Sequence, residues 1–355
     1  MPASHKLGEI LSADANSFNL VRLLAAISVL LSHSYSMVTG IVSDEPLYQT
    51  TGFTLGQHAV NAFFFISGLT LAHSLYRVPK LTSFAWARFL RIFPGLFVYG
   101  ILFAFIAGPL LSSMTLLDYF TDAHTYFYPL AVLVEFSRAT PPHQIFTTTA
   151  FSGAVNNPLW TIKYEVAAYA MLGGLFYLDL LHRTWVLLMI VALSLAAMFA
   201  ENLSATWIYN LSRYELCFML GVLAHRFRNR IPLDARYLLP TITIAYLLAD
   251  THIGYATNIF AVAHLVLVVG ALQFGSLTTY TRKVDLSYGM YIYGWPIQQT
   301  LVAMIAGITI PMVFVLSFVF SSTVALASWN YIERPALRFK KSERFQIDQN
   351  SAPTW

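Results

Sequence analysis

The 355-residue chain is 57% hydrophobic and 11% charged, with a mean hydropathy of +0.60, a balance that excludes an ordinary soluble domain of this length. Its formal net charge of +4 is gathered in short Lys/Arg clusters between apolar runs, which excludes a continuous nucleic-acid-binding face. Cys217 is the single cysteine, which excludes an intrachain disulfide framework and a Cys-based zinc site.

A spanning helix needs about 20 apolar residues, and such runs recur from residue 18 to residue 330. They predict spans near 18–39, 57–76, 89–111, 159–181, 184–200, 208–226, 237–251, 256–274, 287–307 and 310–330. The fold class expected is all-α: a polytopic transmembrane helical bundle of about ten spans, one membrane domain over 1–345 and a short cytoplasmic tail over 346–355. The first run holds Arg22 and His33 with no small-residue cleavage site after it, so it is expected to stay on the chain. The long connection 112–158 contains Pro141-Pro142, and its segment 116–136 is expected to lie along the interface.

Basic residues beside a span are retained on the cytoplasmic side. With both termini inside, Lys6, Arg22, Arg77, Lys80, Arg88, Arg91, Arg183, Arg226, Arg228, Arg230, Arg236, Arg282 and Lys283 fall there. So do Arg334, Arg338, Lys340, Lys341 and Arg344. Arg138, Lys163 and Arg213 fall elsewhere, and the alternation favours an even number of spans.

Ionisable groups inside spans are costly unless paired or beside water, so each is a functional candidate. Arg22 and His33 are eleven residues apart, which returns to nearly the same helix face roughly 16 Å along the axis. Counting from opposite ends of their spans puts His33 and Glu165 at similar depths, roughly 8–9 Å below the outer edge. A histidine beside a carboxylate is a workable general base. The other reading is a satisfied structural His, with Glu165 paired to Lys163 or an arginine. Arg88 and Arg91 share a face at i, i+3 and suit either a phosphate or topology anchoring and lipid headgroups. Arg213 and Glu215 read as an internal ion-pair network. Asn61, Ser67 and Gly68 read equally as helix-packing residues or substrate contacts. No G-x-S-x-G elbow, phosphate loop, H-E-x-x-H pair or compact metal-ligand spacing occurs.

Six segments in order carry a resemblance. They are Arg22 with His33; Phe63-Phe-Phe-Ile-Ser67-Gly68; Arg88 with Arg91; Pro158-Leu-Trp160-Thr-Ile-Lys163-Tyr164-Glu165; Ser287-Tyr-Gly-Met-Tyr291-Ile-Tyr-Gly294-Trp-Pro296; and Tyr331-Ile-Glu333-Arg334-Pro335. From about residue 16 to 341 the chain resembles acyltransferase family 3, multi-span enzymes that O-acylate bacterial surface glycans. Many members have histidine where this chain has Gly294, and some carry an additional C-terminal hydrolase-like domain.

The resemblance implies transfer of an acyl group, usually acetyl, from acetyl-CoA to a carbohydrate hydroxyl in a bacterial cytoplasmic membrane; the residue patterns above add the expectation of no metal and no nucleic acid. His33 and Glu165 would be catalytic, and Arg22, Arg88 and Arg91 would hold the coenzyme. Ser67, Trp160, Lys163, Tyr164, Arg213 and Tyr291 are substrate or structural candidates, and membrane lipids are expected partners. The competing reading is a transporter or flippase for a lipid-linked sugar, since polar residues in a helical bundle also line translocation paths. No paired Gly/Pro-interrupted segments support it.

Overall fold

A computed structural model describes residues 6–12, 16–136, 145–200 and 206–340; Arg138, Pro141, Pro142, Lys341, Arg344 and the tail 346–355 lie outside these. In chain order the helices are α1 (Leu7–Ser12), α2 (Phe18–Thr39), α3 (Pro46–Thr51), α4 (Leu55–Arg77), α5 (Leu81–Leu102), α6 (Gly108–Leu111), α7 (Leu116–Thr121) and α8 (Ala123–Glu135). Then follow α9 (Ile162–Tyr177), α10 (Thr184–Phe199), α11 (Thr206–Arg226), α12 (Leu238–Leu247), α13 (Gly254–Ala271), α14 (Ser276–Lys283), α15 (Ser287–Met304) and α16 (Ile310–Ser328). A π-helical turn over Phe103–Ala107 joins α5 to α6, and another over Trp329–Glu333 prolongs α16.

A helix stands at each of the ten positions where a span is expected. Five stretches are long and apolar enough to cross a membrane: Phe18–Thr39, Leu55–Arg77, Leu81–Leu111, Gly254–Ala271 and Ile310–Lys340. Of the others, α9 and α10 have 16 residues each and α12 has 10, short of the roughly 20 a lone span needs. Polar groups dilute α11 and α15, among them Arg213, Glu215, Gln298 and Gln299. The third helix begins at Leu81, eight residues before the apolar run expected at 89–111, so Arg88 and Arg91 lie within it. The last continues through the π turn to Lys340, beyond the expected end at 330.

The chain divides into two compact units, Met1–Pro79 with Tyr164–Ser287 and Lys80–Lys163 with Tyr288–Trp355. In the first unit α4 is central and packs on α2, α11 and α13. It opens with a capping box, Thr54 Oγ1 accepting from the Gln57 amide while the Gln57 side chain accepts from the Thr54 amide. Gly68 of α4 meets the Phe218 carbonyl and Gly221 of α11 meets the Phe65 carbonyl, so any side chain at either position would push the helices apart. Small residues give this close approach in membrane helices, where dispersion rather than water expulsion holds the pair. Phe65, Ile66 and Leu69 continue the core towards Phe18 and Val266, with Leu7 and Leu11 of α1 beneath.

In the second unit α5 packs on α8 and on the π turn after α16. Gln298 of α15 donates to Ser317 of α16 at 3.4 Å. The segment 116–136 forms the short helices α7 and α8, which bury Tyr119 and Tyr128 and leave Leu117, Leu130 and Val134 exposed.

Candidate active site

Within the first unit, α2 carries Arg22 and His33, both partly exposed, with buried Ser32, Ser34 and Ser36 interleaved around the histidine. Ser34 turns its hydroxyl back to the Leu30 carbonyl at 2.8 Å and Ser36 to the His33 carbonyl at 3.2 Å. Ser34 and Ser36 thus each bond a carbonyl of their own helix. Arg22 Nε is buried with no hydrogen-bond partner among the described residues, the state of a donor that still lacks its acceptor.

Glu165 sits in the first turn of α9, where a carboxylate complements the helix dipole. It accepts a short hydrogen bond from the Tyr169 hydroxyl one turn on. Tyr169 is a partner that the sequence reading did not name. Tyr164 is buried and packs at 5.5 Å on the ring of Tyr214, which stacks on Phe64 at 4.4 Å. Ser67 is buried beside the α4/α11 crossing.

Arg213, 2% exposed, departs from the ion-pair expectation. Its Nε donates to Asn61 Oδ1 and its Nη2 to the Gln57 carbonyl, both at 2.9 Å. The guanidinium lies 4.5 Å from the Phe53 ring centroid and 4.9 Å from that of Tyr214. Glu215 is not its partner, because side chains two apart on a helix point about 200° from each other; Glu215 Oε2 is buried without a hydrogen bond. Asn61 therefore reads as an arginine ligand and Gly68 as a packing residue.

In the second unit, Arg88 and Arg91 both lie partly buried on α5. Arg91 Nη1 is 3.5 Å from Glu333 Oε2, and its guanidinium carbon lies 5.3 Å from the centroid of the Tyr288 ring. Glu333 is 2% exposed and accepts from Ser328 Oγ at 3.0 Å across the π turn. The Tyr288 hydroxyl donates to the Ile92 carbonyl at 2.7 Å. Arg91 is thus paired with Glu333 inside the second unit.

A second construction holds the strand of chain leading into α9. The Tyr291 hydroxyl donates to the Pro158 carbonyl at 2.5 Å and shares a hydrogen bond with the Thr161 hydroxyl 2.5 Å away, while Thr161 Oγ1 also reaches the Pro158 carbonyl at 3.4 Å. Trp295 Nε1 donates to the Ala154 carbonyl at 2.9 Å, and Gln299 Nε2 to the Phe151 carbonyl at 2.9 Å. Asn156 Nδ2 donates to the Ile292 carbonyl at 2.7 Å. Tyr291, Trp295 and Gln299 stand at i, i+4 and i+8, one row of α15. Trp160 is partly exposed and Lys163 exposed. Tyr291 was singled out from sequence, whereas Trp295, Gln299, Asn156 and Glu333 were not assigned contacts. The i, i+4, i+8 spacing of hydrogen-bonding side chains in an apolar helix was the available signal.

A family model described as an acyltransferase domain matches residues 15–330. The chain is 28% identical over 354 residues to a protein named O-acetyl transferase from Shigella phage Sf6, covering 94% of this chain and 99% of that one. It is 27% identical over 360 residues to Nodulation protein 10 of Rhizobium leguminosarum bv. viciae, covering 93% and 95%. No solved structure matches.

Proposed function

Since the chain belongs to this acyltransferase family, we propose that it is an integral membrane O-acetyltransferase moving an acetyl group from acetyl-CoA to a carbohydrate hydroxyl. The observation that carries the reading is the end-to-end likeness to a protein named O-acetyl transferase, together with the family match from residue 15 to residue 330.

His33 accepts the proton of the acceptor hydroxyl as the new C–O bond forms, and gives it to the departing sulfur as the C–S bond breaks. Glu165, steadied by Tyr169, serves as a second acid/base group in the same unit. Guanidinium groups suit the phosphates of the donor. Arg22 offers a buried Nε without a partner, and Arg88 and Arg91 offer a pair on α5. By the positive-inside rule these arginines lie on the cytoplasmic side, where the coenzyme is made available.

The test is mass spectrometry of surface glycans from cells carrying wild type, a deletion, or His33→Ala at matched membrane expression. A labile acyl mass that appears with wild type and is absent from both other strains is expected. Normal acylation by His33→Ala removes the histidine from the mechanism. Accumulation of an unmodified glycan intermediate inside the deletion strain, with no acylation anywhere, replaces the enzyme by the transporter.

A further inference from the structure

Away from His33 and Glu165, the first unit contains a cavity of about 490 Å³ where α4 and α11 end beside the turn between α9 and α10. That volume is within the range of small-molecule sites. Its floor is apolar, with Leu75, Leu187 and Val222; its rim is polar, with Tyr76, Asp179, His182, His225, Arg226 and Arg228. The lining holds two guanidinium groups to one carboxylate, and that carboxylate, Asp179, is 3.3 Å from His182 Nδ1. A third imidazole, His73, abuts His225 with ring nitrogens 3.4 Å apart.

The arginines are held in place and still have donors to give. Arg226 spends Nε on Thr184 Oγ1 at 3.2 Å and Nη2 on the His182 carbonyl at 3.0 Å. Arg228 spends Nη1 on the His225 carbonyl at 3.0 Å and lies over the Tyr76 ring at 4.4 Å. Each fork has five N–H donors. Tyr76 is 67% exposed, so one side of its ring remains open to a planar or apolar partner. Anchored guanidinium groups beside an apolar floor recognise an anion with a carbon body, and basic pockets between membrane helices take phosphate headgroups in this way.

We propose that this cavity is a binding site for a phosphate-bearing ligand, with Arg226 and Arg228 on the phosphate oxygens and the Leu75–Val222 floor under its carbon skeleton. That chemistry belongs both to an anionic phospholipid headgroup and to a soluble nucleotide phosphate. The site stands independently of the acyl-transfer reading, because it is tested by binding alone.

The full chain is purified in a phosphate-free maltoside detergent as wild type, Arg228→Gln, Arg228→Lys and Tyr76→Ala. Two probes are used: adenosine 3′,5′-bisphosphate by calorimetry, and phosphatidylglycerol retention by native mass spectrometry. Loss of one charge-assisted contact predicts affinity about ten- to a hundredfold weaker in Arg228→Gln, largely restored by Arg228→Lys. Weakening of the nucleotide alone identifies a soluble ligand, and weakening of the lipid alone identifies a headgroup. Should Arg228→Gln fold poorly by its melting profile, Tyr76→Ala, a substitution at an exposed ring, carries the same comparison. Wild type that binds neither probe, or variants that bind the probes as wild type does, overturn the proposal.

Discussion

Removing the Glu333 carboxylate takes its counter-charge from the Arg91 guanidinium in surroundings that give it little water, since the two side chains are 2% and 10% exposed. Breaking one partner of a buried pair costs about 3 kcal/mol, while replacing both with apolar groups of similar volume costs far less. Glu333→Ala should therefore lower the thermal midpoint in detergent clearly, and the double variant Arg91→Met/Glu333→Leu should recover most of it; equal losses would mean that the pair is not coupled. A second residue-level prediction concerns Asp234, in the connection before α12, whose carboxyl Arg236 holds down to about 2. A value depressed below the usual 3.8 gives a contribution that is complete above that value and lost as pH falls through about 2. Protection of the amides at 236–238, corrected for intrinsic exchange, should fall over that interval, and Asp234→Asn should flatten the dependence. At this scale the sequence was poor about the partners of the residues it singled out. Arg91 and Glu333 were both quoted as motif residues, yet they are joined across 242 positions. Arg213 and Glu215 are neighbours in sequence and diverge on the helix.

The elements themselves were the most readable feature. Apolar runs bounded by polar breaks yielded a helix at every expected position, because hydrophobic length and backbone self-satisfaction are local properties. Helix ends were less readable. The π turn over Trp329–Glu333 carries the last helix ten residues past its apolar run, and no hydropathy signal marks such a widening. The partners of the row on α15 were unreadable for a different reason, since they are backbone carbonyls between residues 151 and 158. Tyr291→Phe with Gln299→Leu removes three of the bonds to that stretch, Tyr291 to Pro158 and Gln299 to Phe151 and Ala154. Faster hydrogen exchange over 151–161 is expected while α15 itself remains protected. Unchanged exchange would show that Trp295 and Asn156 suffice.

For the molecule as a whole, composition established a membrane protein of helices, and family membership agrees with the acyl-transfer chemistry read from six dispersed segments. The number of crossings is a stricter matter, because five stretches qualify by length and hydropathy, whereas α9, α10 and α12 are short and α11 and α15 carry polar groups. The single, buried Cys217 makes a direct test simple. In a Cys217→Ala background, single cysteines at Asn229 and Ser276 should react with an impermeant reagent from one side, and one at Thr50 from the other. Labelling of all three from the same side would break the alternation of basic clusters on which the ten-span topology rests.

The three side chains that fasten residues 151–158 project from one row of α15, and this makes the attachment collective. A rotation of that helix about its axis by a single residue step, about 100°, carries Tyr291, Trp295 and Gln299 away together. The approach to α9 is therefore governed as one latch with three teeth. Any event that turned α15 would free the whole segment ahead of Trp160 in a single movement, while mutation of one tooth leaves the other two engaged.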